Sequence, residues 1–253
     1  MKAQLGVVIA IRNRSGQRLA NCLHSLRWQS VAAHLQIVLS DFGSDPEHAN
    51  SIDQLAAQHA AVVARTATDE VWNRSRALNI GIQACATPLV MCTDADMIFA
   101  PDFMAEVLSA LDKDDKALVV SRCHDLPESV SEQPWQVSDF AALRDKSALR
   151  DTTGTGACQA TRKAFFEHVR GYDEAFKYWG AEDDDMLSRA QEHGLRVTWL
   201  PDTTSMLHQW HPTMKNDRWL QRKVNEWRLK LTQRRVIKNP SGWGNEGPAG
   251  RSM

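Results

Sequence analysis

The sequence predicts an α/β fold: a mostly parallel central sheet flanked by helices, with a helical extension at the C-terminal end. Strand-length apolar runs alternate with segments of helical period, and the runs read as strands buried on both faces. Polar clusters follow three of these runs, as expected where a parallel sheet gathers a ligand site at the carboxyl ends of its strands.

Residues 5–11 (LGVVIAI) form the first continuous apolar run, broken at residues 12–16 by Arg12, Arg14 and Gly16. Leu19, Cys22, Leu23 and Leu26 then recur at helical spacing over residues 19–28. A second strand is expected at 35–39, ending in the turn sequence Ser40-Asp41-Phe42-Gly43-Ser44-Asp45. Helix 52–60, strand 61–64, helix 73–84 and strand 89–92 continue the alternation. Beyond Pro101 the expected elements are helix 103–111, strand 117–121 and an irregular polar stretch, 125–153, that reads as an acceptor loop or lid. Helix 162–169, a turn at 171–173, helix 183–193 and strand 196–199 follow. Residues 1–214 form one domain. Residues 215–253 are a basic, tryptophan-containing extension, with Trp219, Lys223, Trp227, Lys230 and Arg234 sharing one helical face expected to pack on that domain, the alternative being that it grips an anionic acceptor.

The composition sets limits on function. With 43% hydrophobic and 24% charged residues, 253 residues make an ordinary globular core without staples. A net charge of -1 gives no chain-wide field for nucleic acid or anionic surfaces. The five cysteines, an odd number without C-x-x-C spacing, read as reduced core thiols. No apolar stretch approaches the ~18 residues of a membrane span, and a cytoplasmic location is expected.

Three clusters carry chemistry. Asp94-Ala95-Asp96 follows the strand at 89–92, and alternation in an extended segment is expected to turn both carboxylates to one side, where they can hold a hard divalent cation against a diphosphate. Glu182-Asp183-Asp184-Asp185 opens a helix. The helix dipole favours one or two negative charges there, whereas four crowd together and raise a carboxyl pKa, as a general base requires. His208 and His211 lie in a loop from which both can approach one metal ion.

The segment Val71-Trp72-Asn73-Arg74-Ser75-Arg76-Ala77-Leu78-Asn79-Ile80-Gly81-Ile82 resembles the Phe-Asn-Arg segment ending in Asn-x-Gly of the β-1,4-galactosyltransferases and bacterial chondroitin-polymerase domains, with Trp72 in place of the phenylalanine. Gly171-Tyr172-Asp173-Glu174-Ala175-Phe176, leading into Trp179-Gly180-Ala181-Glu182-Asp183-Asp184-Asp185, is similar to their second signature, and the D-x-D and histidines fall in the same order. The resemblance implies an inverting, family 2-like glycosyltransferase of the GT-A (Rossmann-like) fold, with Mn2+ or Mg2+ and a UDP-sugar donor. It implies Asp183 as base, with Glu182 and Asp184 as acceptor-hydroxyl partners. Asp96 and His211 would be metal ligands, with Asp94 reaching ribose or metal-bound water and His208 close by, as the alternative ligand to His211. Asp41, Trp72, Arg74 and Arg12 would line the nucleotide site. The acceptor would be a glycan, capsule or lipopolysaccharide; hydroxymethylated DNA is the alternative within the class. A nucleotidyltransferase, which would need a better glycine-rich phosphate loop than Arg12-Asn13-Arg14-Ser15-Gly16, and a catalytically silent sugar-binding module are the alternatives outside it.

Overall fold

A computed structural model describes residues 4–130, 132–151, 154–178, 180–212, 219–232 and 234–244. Trp179, Thr153 and residues 213–218, where the domain passes into the extension, lie outside the described residues. The opening βαβ unit is β1 (Leu5–Ile11), α1 (Gln17–Arg27) and β2 (Leu35–Phe42), followed by α2 (Pro46–Gln58), β3 (Val62–Thr66), α3 (Arg74–Ala84) and β4 (Leu89–Thr93). Then come β5 (Met97–Phe99), α4 (Phe103–Lys113), β6 (Ala117–Val120), β7 (Cys123–Asp125), α5 (Phe140–Lys146), β8 (Ala148–Leu149), β9 (Gln159–Arg162) and α6 (Lys163–Val169). The chain continues through α7 (Glu182–Glu192), β10 (Arg196–Trp199), β11 (Met206–His208) and α8 (Trp219–Thr232).

The main sheet has the order β10-β6-β9-β4-β1-β2-β3 and is parallel except for β9, which runs antiparallel to both β4 and β6. Both faces of β1 are covered, which explains its unbroken apolar sequence. Leu5, Val7, Ile9 and Ile11 join one core with Leu19, Leu23 and Leu26 of α1, and Val8 joins another with Leu78 and Ile82 of α3. Each such fully buried side chain contributes roughly 1.5–3 kcal/mol.

Gly81 sits where α3 crosses β1 and β2. A Cβ there would collide with Val8 and press on Ser40, so the glycine of the Asn-x-Gly signature serves close helix-sheet packing. Its asparagine is structural as well: Asn79 Nδ2 donates to Tyr172 O (2.9 Å) and Glu174 Oε1 (2.8 Å), and Asn79 Oδ1 accepts from Tyr172 N (2.7 Å). The two signature segments are thus fastened to each other across the fold.

The stretch 125–153 is not wholly irregular. It contains α5 and the short β8, and β7 ends at Asp125, where the irregular stretch was expected to begin. A second, four-stranded sheet, β5-β11-β7-β8, is built from strands of two or three residues, too short for a period-2 pattern to register.

The extension attaches by polar contacts and by its end, not by the tryptophans of its helix. Trp219 and Trp227 are exposed, contrary to the expectation that they pack, and Arg234 lies beyond the end of α8. Arg228 instead grips both oxygens of Asp173 at 3.0 Å, and Lys238, nearly fully buried, donates to Asp185 (3.1 Å), Asp173 (3.4 Å) and Thr232. Trp243 completes the core beside Tyr172. Asp185, the fourth carboxylate of the acidic run, is therefore structural: fully buried, it also pairs with buried Arg189 at 2.7 Å.

Candidate active site

The second sheet explains how a metal site forms. β11 lies between β5 and β7 with His208 opposite Met97 on one side and Asp125 on the other. Asp96, immediately before β5, Asp125, at the end of β7, and His208, at the end of β11, therefore reach one edge together. Gln209 N donates to Asp96 O (2.9 Å), and its side chain accepts from Asn21 of α1, which turns the chain so that His211 also comes back to this edge. His211 Nε2 lies 3.3 Å and His208 Nε2 3.7 Å from Asp96 Oδ2. Ligand atoms of these three residues all lie within 4.8 Å of one another.

Asp96 Oδ1 is buried and has no hydrogen-bond partner among the described residues, a costly state unless a cation faces it. Burial would raise the Asp96 carboxyl, but the His211 hydrogen bond and the charges of both histidines and Arg14 outweigh it and hold it below its ordinary value. The His211 imidazole is raised, chiefly by its hydrogen bond to Asp96. One carboxylate and two imidazoles form a donor set that fits a borderline-hard divalent ion such as manganese.

Behind His208 stands Asp125, whose Oδ1 lies 3.1 Å from His208 Nδ1. Arg150 holds that carboxylate with two hydrogen bonds, at 2.9 and 2.5 Å. A carboxylate on the second ring nitrogen fixes the tautomer in which Nε2 is free to ligate.

Asp94 does not join this set, so the two carboxylates of the D-x-D diverge. Asp94 Oδ1 accepts from Arg74 Nη2 (2.7 Å) and Nε (3.2 Å). The same guanidinium donates to Gly156 O (2.9 Å) and reaches Glu182 Oε1 at 3.4 Å. Burial alone would lower the pKa of Arg74, but Asp94 and Glu182 hold it above its ordinary value, so the group stays charged. One arginine at the first turn of α3 thus joins the D-x-D turn to the acidic start of α7.

Glu182 is almost fully buried. Burial pushes its carboxyl up to about 7 against the opposing charge of Arg74, and its Oε2 has no hydrogen-bond partner among the described residues. Asp184 is also raised, by burial and by its neighbour Asp183. Asp183 is partly exposed on the first turn of α7. Its backbone O accepts from Gln159 Nε2 (2.9 Å), and the Gln159 side chain is held in turn by the Tyr172 hydroxyl (2.7 Å). A Cβ at Gly156 would come within 3.0 Å of Asp183 Oδ2, so glycine keeps that carboxylate uncrowded.

The expected nucleotide wall is mixed. Trp72 is partly buried beside Phe42, with ring centroids 6.3 Å apart, and Arg12 Nη1 donates to Glu70 O at 2.6 Å. Asp41 is fully buried, with its oxygens taken by Arg65 Nε (2.8 Å) and Ser44 N (3.2 Å). It faces protein, not an open rim, and braces Arg65 instead of presenting a free carboxylate. Sequence reasoning missed Asp125, Arg150, Gln159 and Arg65. Only Asp125, last residue of a strand, carried a local signal, and its strand is too short to read.

Fold and site together define a glycosyltransferase domain of the GT-A type. Residues 6–170, more than half the chain, match the family model for glycosyl transferase family 2, and the chain belongs to that family. Residues 141–212 match the model described as the N-terminal domain of galactosyltransferase. Among curated proteins none matches. Similar solved structures include GalNAc-T7 with UDP, GalNAc and Mn2+, at TM-score 0.63 and 18% identity, covering 83% of this chain and 44% of that one. Staphylococcus aureus TarS 1-349 is similar at TM-score 0.61 and 15% identity, covering 81% of this chain and 60% of that one. Its complex with UDP-GlcNAc gives 0.62 and 12%, covering 83% and 59%. The chain thus spans 44 to 60% of the length of these proteins, and the likeness speaks for the shared fold.

Proposed function

We propose that the chain carries a divalent-metal-dependent, inverting glycosyltransferase activity that moves a sugar from a UDP-sugar to an acceptor hydroxyl. The observation that carries this reading is the convergence of His208 and His211 on Asp96 Oδ2, beside the buried, unpartnered Oδ1 of the same carboxylate, with neighbouring Asp94 joined through Arg74 to Glu182 of α7. GalNAc-T7 with UDP and Mn2+, and TarS with UDP-GlcNAc, support the choice of nucleotide and metal.

Asp96, His211 and His208 would hold Mn2+ or Mg2+, which when bound supplies the positive charge that stabilises a departing diphosphate. The chain's own residues do the remaining work. Arg74 fixes Asp94 towards the ribose side, and Trp72 and Arg12 line the nucleotide wall, which Asp41 supports through Arg65. Asp183 takes the proton of the acceptor hydroxyl as it attacks the anomeric carbon. Glu182 and Asp184 bind that hydroxyl and its neighbours, and a Glu182 carboxyl that is partly protonated near neutral pH can donate as well as accept. In-line displacement with inversion requires the base and the leaving-group stabiliser to flank the anomeric carbon from opposite sides, the roles assigned here to Asp183 and to the Asp96 group. The acceptor is a glycan or other polymer hydroxyl. Five buried, unpaired cysteines support a reducing compartment, the cytoplasm, and among the described residues no helix is long and apolar enough to cross a membrane.

A panel of UDP-sugars scored for Mn2+-dependent UDP release, with the product anomer read by NMR, tests the reading. Release from at least one donor with inverted configuration is expected. Absence of release from every donor, or retained configuration, overturns it.

A further inference from the structure

Among the described residues, α8 is patterned inside out. Its domain-facing side is polar: Asn225 donates to Lys177 O (3.1 Å) and Gly180 O (3.2 Å), Arg228 binds Asp173, and Thr232 accepts from Lys238. Its outward side is apolar. Leu220, Val224, Trp227 and Leu231, spaced by four, three and four residues, form one stripe and are 63%, 55%, 65% and 64% exposed. A globular helix normally places such a stripe against its core, so this face is made for something outside the described fold.

The border of the stripe identifies the occupant. Lys223 and Lys230 lie along one flank beside Trp219, Arg222 follows them around the helix, and Arg234 and Arg235 are exposed just beyond its end. Against these five outward cations stands one acidic residue, Glu226. An apolar stripe carrying tryptophan, leucine and valine and bordered by lysine and arginine is complementary to an anionic bilayer surface: the stripe enters the boundary between headgroups and acyl chains, and the cations meet phosphate. A protein partner would have to supply both an apolar groove and an acidic rim, which an anionic leaflet combines in one surface.

We propose that α8 is a membrane-surface anchor that lies in the plane of an anionic lipid leaflet. Because Asn225 holds the backbone two residues before Glu182, docking would place the acidic end of α7, and so the acceptor side, near the lipid surface. The proposal does not depend on the catalytic reading, since binding is measured without turnover.

The test is flotation of the full chain with vesicles of phosphatidylcholine alone and of phosphatidylcholine containing phosphatidylglycerol. Binding is expected to the anionic vesicles and to weaken on the order of tenfold or more on neutral ones. Trp227→Glu should reduce it by on the order of tenfold, and Lys230→Glu by a similar factor with a shallower salt dependence, at about one surface-charge contact per lysine. Both side chains point outward, so circular dichroism and thermal midpoint should match the parent protein. Failure to bind anionic vesicles, or binding that survives Trp227→Glu unchanged, overturns the proposal. Self-association in sedimentation velocity that Trp227→Glu abolishes, without vesicle binding, overturns it in favour of a protein interface.

Discussion

Replacing Asp125 with asparagine removes the charge behind His208 while keeping the shape of the side chain. Asp125 contributes no ligand atom to the Asp96, His208 and His211 group, so any effect on metal binding must pass through the 3.1 Å contact to His208 Nδ1. The asparagine can still accept from Arg150, but it no longer polarises the imidazole or fixes its tautomer by charge. Partners of this kind are worth about 10- to 100-fold in metal affinity, or roughly 1.4–2.8 kcal/mol. The Asp125 side chain is 40% exposed, so the loss of its own ion pair with Arg150 should cost stability less than about 1 kcal/mol. Isothermal titration of Mn2+ into parent and variant, with thermal melts alongside, separates the two effects. Affinity within twofold of the parent would refute the argument that His208 is oriented by this carboxylate, as would a loss of affinity matched by general unfolding.

Other consequences are equally direct. Asp183→Asn should lower kcat by on the order of 100-fold or more while leaving donor affinity within a few fold, checked by steady-state kinetics; near-normal kcat would remove Asp183 as the base. Asp173→Asn leaves Lys238 buried with one of its two carboxylate partners gone, so urea denaturation should show a loss of about 3–5 kcal/mol, and a loss under 1 kcal/mol would show that the network is not what holds the C-terminal segment. Glu182 keeps its proton in the folded protein, up to about 7, after the unfolded chain has released it near 4.5. Its contribution to stability is therefore full below the lower value and falls as pH rises through this window, by at most about 3–4 kcal/mol. Glu182→Gln should flatten that fall relative to the parent in urea titrations at the two ends, and an unchanged slope would place the titration elsewhere.

The alternation from β1 to β4 was legible because β1, β2 and β4 are continuous and covered on both faces, so their composition alone reports their burial, while β3, a partly exposed edge strand, was legible from its place in the alternation. Asp94 and Asp96 stood out for a related reason, since polar residues directly after an apolar run mark a strand end, whereas the start of α7 stood out by its four consecutive carboxylates and His208 and His211 by their pairing in a loop. The second sheet was not, because β5, β7, β8 and β11 offer two or three residues each, and what places them is long-range pairing. That blindness hid Asp125, whose role exists only because β7 lies beside β11. The divergence of Asp94 from Asp96 was hidden too, since extended alternation takes no account of an arginine from α3 arriving 20 residues earlier in the chain. In the extension, Arg234 falls beyond the helix end, and helical period set Trp219, Lys223, Trp227 and Lys230 on one face but could not say that this face is exposed. Asp173, Asp185 and Lys238 decided that, through buried charge pairs that carry no periodic signal.

The central claim is that transfer runs through a cation held by Asp96, His208 and His211. Its most direct measurement is UDP release from the best donor by protein stripped with chelator, before and after Mn2+ is restored, with Asp96→Asn in parallel. The account predicts that stripped protein releases UDP at no more than a few per cent of the restored rate, and that Asp96→Asn is not rescued by Mn2+ at levels that saturate the parent. Full release after exhaustive stripping, or an Asp96→Asn variant that responds to Mn2+ as the parent does, would contradict it.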